Sequence, residues 1–305
     1  MPLDKVEKIW MDGALVDWDD ATVHVLTHTL HYGSGVFEGI RAYETSEGAA
    51  VFRLTEHIER LFRSAKMLMI EVPWSVEQLV EAVKETVRVN GLSSCYIRPL
   101  VYLGYGEMGL NPLASPVNVS VAVWPWGTYL GDDGVRHGVR MKISSWRRQD
   151  PNINPPAAKS TGIYVNSILA KVEAIKAGYD EAILLSPDGY VSECTGENIF
   201  VVRDGTLVTP PLSAGALDGI TRDSVTTIAR DLGYDVVEDN LLRSDLYIAD
   251  EAFLTGTAAE VVPIREVDDR VIGEPGEITR KIQETYFATV RGEVERYKGW
   301  LEHVA

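Results

Sequence analysis

One lysine stands in a stretch with little else to offer chemistry. In Asn154-Pro155-Pro156-Ala157-Ala158-Lys159-Ser160-Thr161-Gly162 it is the only charged side chain among small, neutral, turn-forming neighbours. An amine kept from water is a usable nucleophile towards an aldehyde. A surface-loop lysine would have the same neighbours, so the stretch alone leaves both readings open. Two further places suit an anion. Gly219-Ile220-Thr221 falls at a predicted helix start behind Pro210-Pro211 and Gly215, where backbone N–H groups and the helix dipole favour negative charge. A plain threonine cap is the alternative there. At Thr255-Gly256-Thr257-Ala258-Ala259 a strand runs into small, hydroxyl-bearing residues whose N–H groups can approach a phosphate or carboxylate closely. Such turns also serve structure alone.

Three charged side chains sit in apolar surroundings. Arg98 lies inside the strand-like run Tyr96-Ile97-Arg98-Pro99-Leu100-Val101. A cation there is costly unless it is paired or meets an anion. Glu193 ends the strand-like Tyr190-Val191-Ser192-Glu193, and is a buried carboxylate if that strand is internal, an edge charge otherwise. Arg60 sits beside the apolar face of a helix, where a solvated charge is the plain alternative. The histidines show no metal-ligand spacing: His24, His28 and His31 fall near one another in an apolar, strand-like segment, with no carboxylate or cysteine to complete a set. No metal is expected. Gly104 to Gly109 is followed by no helix pattern, so a nucleotide-binding glycine loop is not indicated.

The elements that must position these residues follow from apolar periodicity. Ala49 to Leu54 reads as a strand, after which Thr55 caps a helix with Ile58, Leu61, Phe62, Ala65 and Met69 on its core face. Ser75 with Gln78 spells a capping box, Trp74 and Leu79 a hydrophobic staple, and Asn90-Gly91 ends that second helix. Cys95 to Leu103 is strand-like, and Val117, Val119, Val121 and Val123 alternate cleanly before Trp124. The turn-rich Pro125 to Gly134 suits a linker. Beyond it come a strand from Val139 to Ser145, a long loop from Gln149 to Gly162, and a helix from Tyr164 to Ala177 stopped by Gly178. Strands at Ala182–Leu185, Tyr190–Glu193 and Asn198–Val202 follow, with Asp188-Gly189 as a hairpin turn. A helix after Thr221, a strand at Ala252–Leu254 and a helix from Ile278 to Val290 complete the chain. The mixture is α/β, or α+β by some schemes.

With 305 residues the chain exceeds what one core usually organises. Two domains are expected: residues 1–124 as a smaller N-terminal α/β domain, 125–137 as an interdomain loop, and 138–305 as a larger C-terminal domain. At 45% apolar and 24% charged residues the composition is that of an ordinary globular protein. No apolar run approaches the roughly 20 residues of a membrane span, and the N-terminal residues lack the apolar stretch of a secretory signal. Cys95 and Cys194 both lie in apolar segments and read as reduced core residues. A cytoplasmic location follows, with no membrane partner. A net charge of −16 argues against nucleic acid, although a few local arginines can reverse the field within one cleft.

Taken together these places resemble a known family. Tyr32-Gly33-Ser34-Gly35-Val36-Phe37-Glu38-Gly39-Ile40-Arg41-Ala42-Tyr43 is similar to the N-terminal signature of the branched-chain aminotransferases, members of the fold-type IV, D-amino-acid aminotransferase-like pyridoxal-phosphate enzymes. The likeness continues through Phe52-Arg53 with His57, Arg60 and Leu61, then Tyr96-Ile97-Arg98-Pro99, Met108-Gly109-Leu110-Asn111-Pro112 and Ala157-Ala158-Lys159. It runs on in Ser192-Glu193, Gly196-Glu197-Asn198, Leu217, Gly219-Ile220-Thr221-Arg222 and Gly256-Thr257-Ala258-Ala259-Glu260, in the family's order over nearly the whole chain.

The resemblance implies that Lys159 holds pyridoxal 5′-phosphate as a Schiff base and then carries the proton between substrate and cofactor. It assigns the phosphate to Arg60, to the N–H groups of Ile220 and Thr221, and to Thr257. Leu217, Gly219 and Gly256 complete that cofactor set. Glu193 is expected at the pyridine nitrogen and Tyr164 at the ring's phenolic oxygen. For the substrate it implies the Thr257 and Ala258 N–H groups and the Tyr96 hydroxyl at the α-carboxylate. Tyr32, Phe37 and Tyr129 read the side chain, Arg98 pairs with the γ-carboxylate of glutamate, and Met108, Gly109 and Leu110 come from the neighbouring subunit of a homodimer or larger homo-oligomer. The implied reaction moves the amino group of L-leucine, L-isoleucine or L-valine to 2-oxoglutarate. A D-amino-acid or (R)-amine transaminase of the same fold is the near rival, and an aminodeoxychorismate lyase-like enzyme a further one. Cys194-Thr195 departs from the small residues expected after the glutamate.

Overall fold

The computed structural model describes residues 3–304, and the chain divides into two compact units. The first runs to Trp126 and includes Ala158–Ile163 and the residues from Thr289 onward. The second comprises Gly127–Ala157 and Tyr164–Ala288. Both are mixed α/β. Two stretches expected in the C-terminal domain, the one around Lys159 and the C-terminal end, belong to the first unit. No helix among the described residues is long and apolar enough to cross a membrane.

The first unit is built on an eight-stranded sheet in the order Leu301–His303, Gly48–Phe52, Ile40–Thr45, Cys95–Leu103, Val117–Trp124, Lys8–Met11 and Ala14–Asp17, with Gly35–Phe37 paired alongside Cys95–Leu103. The alternating valines make the strand expected of them. Val119, Val121 and Val123 are fully buried, and they join Ile97 and Val101 in one core with Leu54, Ile58, Leu61, Leu79 and Val83 of the helices Leu54–Met67 and Val76–Val89. The capping box at Ser75 forms in both directions: Gln78 N–H donates to Ser75 Oγ at 3.2 Å and Ser75 N–H to Gln78 Oε1 at 2.8 Å.

Several expectations are corrected here. Leu54 begins a helix instead of ending a strand, and the cap is not Thr55. Arg53 occupies the N-cap in a left-handed conformation, φ 51°, and the Thr55 N–H is satisfied from 247 residues away by Glu302 Oε1 at 2.8 Å. The segment holding His28 and His31 is a short helix, His28–Tyr32, and not a strand. The hairpin Lys8–Met11/Ala14–Asp17 was not anticipated, though Asp12-Gly13 between apolar residues is a known two-residue turn signal.

The second unit carries a nine-stranded sheet in the order Val191–Cys194, Glu181–Leu185, Val139–Arg147, Glu260–Val267, Glu251–Gly256, Asn198–Arg203, Thr206–Thr209 and Val236–Glu238, with Arg270–Val271 on Glu260–Val267. Val139–Arg147 pairs parallel with both neighbours, while most other pairs are antiparallel. The turn-rich stretch expected as linker contains a helix, Gly131–His137. The helix Tyr164–Lys176 packs Ala170 and Ala174 against Ala182 and Leu184. Its other face leaves Val165, Ile168, Leu169, Val172 and Ile175 exposed.

Candidate active site

Lys159 is held by its backbone on both sides. Its carbonyl accepts the Phe37 N–H at 3.0 Å, its own N–H donates to Ser64 Oγ at 3.1 Å, and Ser160 bridges to Val36. The loop is thus stitched to the strand Gly35–Phe37 and to the helix Leu54–Met67. The Lys159 ammonium lies 5.1 Å from the centre of the Phe37 ring.

Arg60 faces inward from that helix, not outward as a solvated helix charge. Its Nε and Nη2 donate to the two oxygens of Glu38 at 2.7 and 2.8 Å, and Glu38 also meets His57 Nδ1 at 2.8 Å. All three side chains are almost fully buried. Burial opposes ionisation of Glu38, but Arg60 and His57 outweigh it and hold the carboxyl well below the usual carboxylate range. Burial also lowers the affinity of His57 for a proton. Glu38 and His57 appear in the sequence motif without a role, and only the fold reveals that they fix Arg60.

Arg98 resolves its burial in a way the sequence did not suggest. Its guanidinium lies 4.6 Å from the Phe37 ring, 5.3 Å from Tyr96 and 5.9 Å from Trp124. Nη2 donates to the Tyr96 hydroxyl at 3.3 Å, while buried Nε has no partner among the described residues. Three aromatic faces answer the charge without neutralising it. Tyr96 is in turn held edge-on by Trp126 at 4.5 Å and tilted on Trp124 at 5.1 Å. Gly39 is required beneath it, because any Cβ there would run into the Tyr96 hydroxyl. The part played by the two tryptophans escaped the sequence reading.

In the same unit, Tyr32 is exposed, with its ring 4.6 Å from that of His28 and tilted 43° to it, and His28 Nε2 lies 2.8 Å from the Gly109 carbonyl oxygen. Met108 and Leu110 are exposed, Leu110 to 88%.

In the second unit Glu193 sits on an edge strand that is nonetheless buried throughout. The register slips between Val191 and Glu193, a bulge that re-aims the carboxylate. One oxygen lies 2.9 Å from Arg148 Nη2 and the other accepts the Leu217 N–H at 3.0 Å. Arg148, unremarked in the sequence, is itself pinned by Ser167 Oγ at 2.9 Å and the Cys194 carbonyl at 2.8 Å. Cys194 contributes that carbonyl, while burial pushes its thiol pKa well up and leaves the sulfur in the core.

The helix Ile220–Asp231 begins at Gly219 with no side-chain cap, and Thr221 is buried. The N–H groups at the start of a helix of this length suit a phosphate, and Asp223 lies in the first turn. Asn198 ties this end to the other anion candidate. It pairs with Thr255 in the ladder, its Nδ2 donates to the Leu217 carbonyl at 2.9 Å, and its Oδ1 lies where a Cβ on Gly219 would fall. Gly256, Thr257 and Ala258 follow at partial exposure. Tyr164 opens its helix, and Tyr129 is 37% exposed with the Lys171 ammonium 5.3 Å from its ring centre. A carboxyl fixed by an arginine and a backbone N–H, a helix start and small residues at the strand end are the donor set that a phosphorylated pyridine aldehyde needs. Pyridoxal phosphate fits these residues.

Behind Glu193 lie two more buried carboxyls, Glu181 and Glu197. Glu181 is 2.6 Å from Lys171. Burial first, and then the charge of Glu181, raise the pKa of Glu197 to about 8.

A family model described as amino-transferase class IV matches residues 35–267. The branched-chain-amino-acid aminotransferase of Pseudomonas aeruginosa is 50% identical over 294 residues, covering 96% of this chain and 95% of that protein. The crystal structure of the Escherichia coli branched-chain amino acid aminotransferase superposes with a TM-score of 0.97 at 46% identity, covering 99% of this chain and 100% of that one. That of the Thermobaculum terrenum branched-chain amino acid aminotransferase, in its pyridoxal-phosphate form, gives 0.92 at 35% identity over 98% of this chain and 99% of that one.

Glu197 sets a pH dependence with a definite sign. Between the ordinary carboxyl value of 4.5 and about 8 the folded chain keeps a proton that the unfolded chain has lost, so this group makes stability fall as pH rises through that window. Glu197→Gln should flatten the slope of unfolding free energy against pH between about 5 and 8, measured by denaturant titration. An unchanged slope would contradict the assignment.

Proposed function

The chain belongs to the class IV aminotransferases, and from that premise we propose that it transfers the amino group of L-leucine, L-isoleucine or L-valine to 2-oxoglutarate, and the reverse, with pyridoxal 5′-phosphate as cofactor. The observation that carries the substrate reading is Arg98: a cation walled by Phe37, Tyr96 and Trp124, with a buried Nε still to satisfy. Such a surface is apolar to an aliphatic side chain and cationic to the second carboxylate of glutamate. It suits the two kinds of substrate that this exchange alternates.

When bound, the cofactor supplies an electron-withdrawing ring for the α-carbon. The chain's own residues do the rest. Lys159 would hold the aldehyde carbon of the bound cofactor, and its amine is the group placed to take a proton at the substrate α-carbon and return it. Glu193, held by Arg148 and the Leu217 N–H, would meet the ring nitrogen. Tyr164 would take the ring's phenolic oxygen. Arg60, the Ile220 and Thr221 N–H groups and Thr257 bind the phosphate, with Leu217, Gly219 and Gly256 shaping the approach. Arg60 reaches this role already oriented by Glu38. The N–H groups of Thr257 and Ala258 and the Tyr96 hydroxyl take the α-carboxylate, while Tyr32, Phe37 and Tyr129 read the side chain.

We place the enzyme in the cytoplasm, which suits two unpaired, buried cysteines. We take it as a homodimer or a larger homo-oligomer, with Met108, Gly109 and Leu110 serving the neighbouring subunit. The outward apolar face of Tyr164–Lys176 and the exposure of Leu110 support an assembly.

The deciding experiment compares initial rates on L-leucine and (R)-1-phenylethylamine with 2-oxoglutarate as acceptor. Faster turnover of L-leucine is expected, and faster turnover of the amine would reverse the assignment. Lys159→Ala should leave the circular dichroism and melting curve nearly intact and abolish turnover; retained turnover would remove Lys159 from its role. Arg98→Ala should raise KM for L-glutamate by about 10- to 100-fold, the worth of a charge-assisted hydrogen bond, and KM for L-leucine by much less. Equal losses would refute the pocket reading.

A further inference from the structure

His28 takes no part in the chemistry above, yet three pieces of the first unit meet on its ring. It opens the short helix His28–Tyr32 and is buried. Nδ1 lies 2.6 Å from Ser34 Oγ, and Nε2 lies 2.8 Å from the Gly109 carbonyl oxygen. A carbonyl oxygen only accepts, so Nε2 carries a hydrogen and donates it. The Tyr32 ring stands one helical turn further on, 4.6 Å away. Ser34 is itself fixed, because its carbonyl accepts the Leu103 N–H at 3.1 Å and the Thr29 hydroxyl. The imidazole is thus anchored at Nδ1 and presents Nε2–H to the backbone beyond.

That backbone belongs to the connection between the strands Cys95–Leu103 and Val117–Trp124. Main-chain bonds close its base: Gly104 N–H donates to the Pro116 carbonyl at 2.8 Å, and His28 N–H to the Gly104 carbonyl at 3.1 Å. Further out the chain turns in open space. Gly109 has a φ of +116°, and a Cβ there would meet nothing within 4 Å. Met108 and Leu110, on either side, are exposed apolar side chains. The hydrogen bond from His28 Nε2 falls on the carbonyl between them. A peptide group held at that point sets the directions in which both side chains leave the chain.

We propose that His28 is a positioning residue for substrate recognition across the subunit boundary: anchored on Ser34, it holds the Gly109 peptide so that Met108 and Leu110 face the neighbouring subunit's side-chain pocket. This rests on the reading that residues 108–110 serve that pocket. His28 then acts on substrate binding and not on the proton transfer at the α-carbon, so its loss raises KM and spares kcat. It also acts in trans: a subunit without it harms its neighbour's site and leaves its own intact.

Two amides divide the ring's functions in the holoenzyme. His28→Asn ends where Nδ1 stands, so it keeps the Ser34 contact and falls short of Gly109. His28→Gln reaches the place of Nε2 and keeps a donor there. KM for L-leucine should rise about two- to ten-fold in His28→Asn, the worth of one neutral hydrogen bond, and stay near the parent's in His28→Gln. Ser34→Ala, which releases the ring's anchor, replaces His28→Asn if that variant does not fold, with a rise in KM again expected.

Mixed assemblies give the deciding readout. His28→Asn subunits assembled with an excess of inactive Lys159→Ala subunits receive intact neighbouring loops, and their KM should return to the parent's. Parent subunits assembled with an excess of the Lys159→Ala, His28→Asn double variant should show the raised KM. A purely structural role would follow the active subunit's own residue 28 and give the opposite pattern, which would overturn the inference. If Met108→Ala with Leu110→Ala raises KM but His28→Asn does not, the inference falls and the loop reading stands. If that loop variant leaves KM for L-leucine unaltered, the loop reading falls and takes the inference with it. A drop in kcat with KM unmoved in His28→Asn also overturns it.

Discussion

A buried carboxyl needs both of its oxygens answered, and Glu193 shows what that requires. Arg148 lies 2.9 Å from one oxygen and the Leu217 N–H donates to the other. Arg148 in turn is fixed by Ser167 and by the carbonyl of Cys194, next to Glu193 in the chain. Three buried carboxyls, Glu181, Glu193 and Glu197, share two cations, Lys171 and Arg148. Burial and then the charge of Glu181 raise the pKa of Glu197 to about 8, so its proton keeps a further negative charge out of this cluster.

The first unit solves the same problem with different parts. Glu38 takes two hydrogen bonds from Arg60 and one contact from His57, all nearly dry. Arg98 is instead stabilised by ring faces, which leave its charge expressed. Two arginines of one unit are thus met differently, Arg60 by a carboxylate and Arg98 by an aromatic wall.

Local periodicity carried much of the fold. The valine alternation before Trp124, the Ser75–Gln78 box and the Gly178 stop each act through near neighbours, and each is present. Local reasoning failed where the partner is distant. Thr55 looks like a cap until Glu302 arrives from the far end of the chain. Arg148 and Asn198 looked ordinary because their importance lies in whom they meet: Glu193 for the one, Leu217 and Thr255 for the other. Arg98 was legible as an anomaly, but its resolution by Phe37 and two aromatic residues of neighbouring strand positions was not, since pairing registers are invisible in one dimension. The candidate residues themselves were found through a resemblance of motifs. Their supports were found only through the fold.

The stitching of Lys159 has a mechanical meaning. With its carbonyl bound to Phe37 and its amide to Ser64, the main chain at this position is a fixed pivot. Whatever the amine reaches, it reaches on its own methylene arm, by rotation of side-chain torsions and with no help from loop movement. An amine carried this way sweeps a short, repeatable arc set by its own torsions.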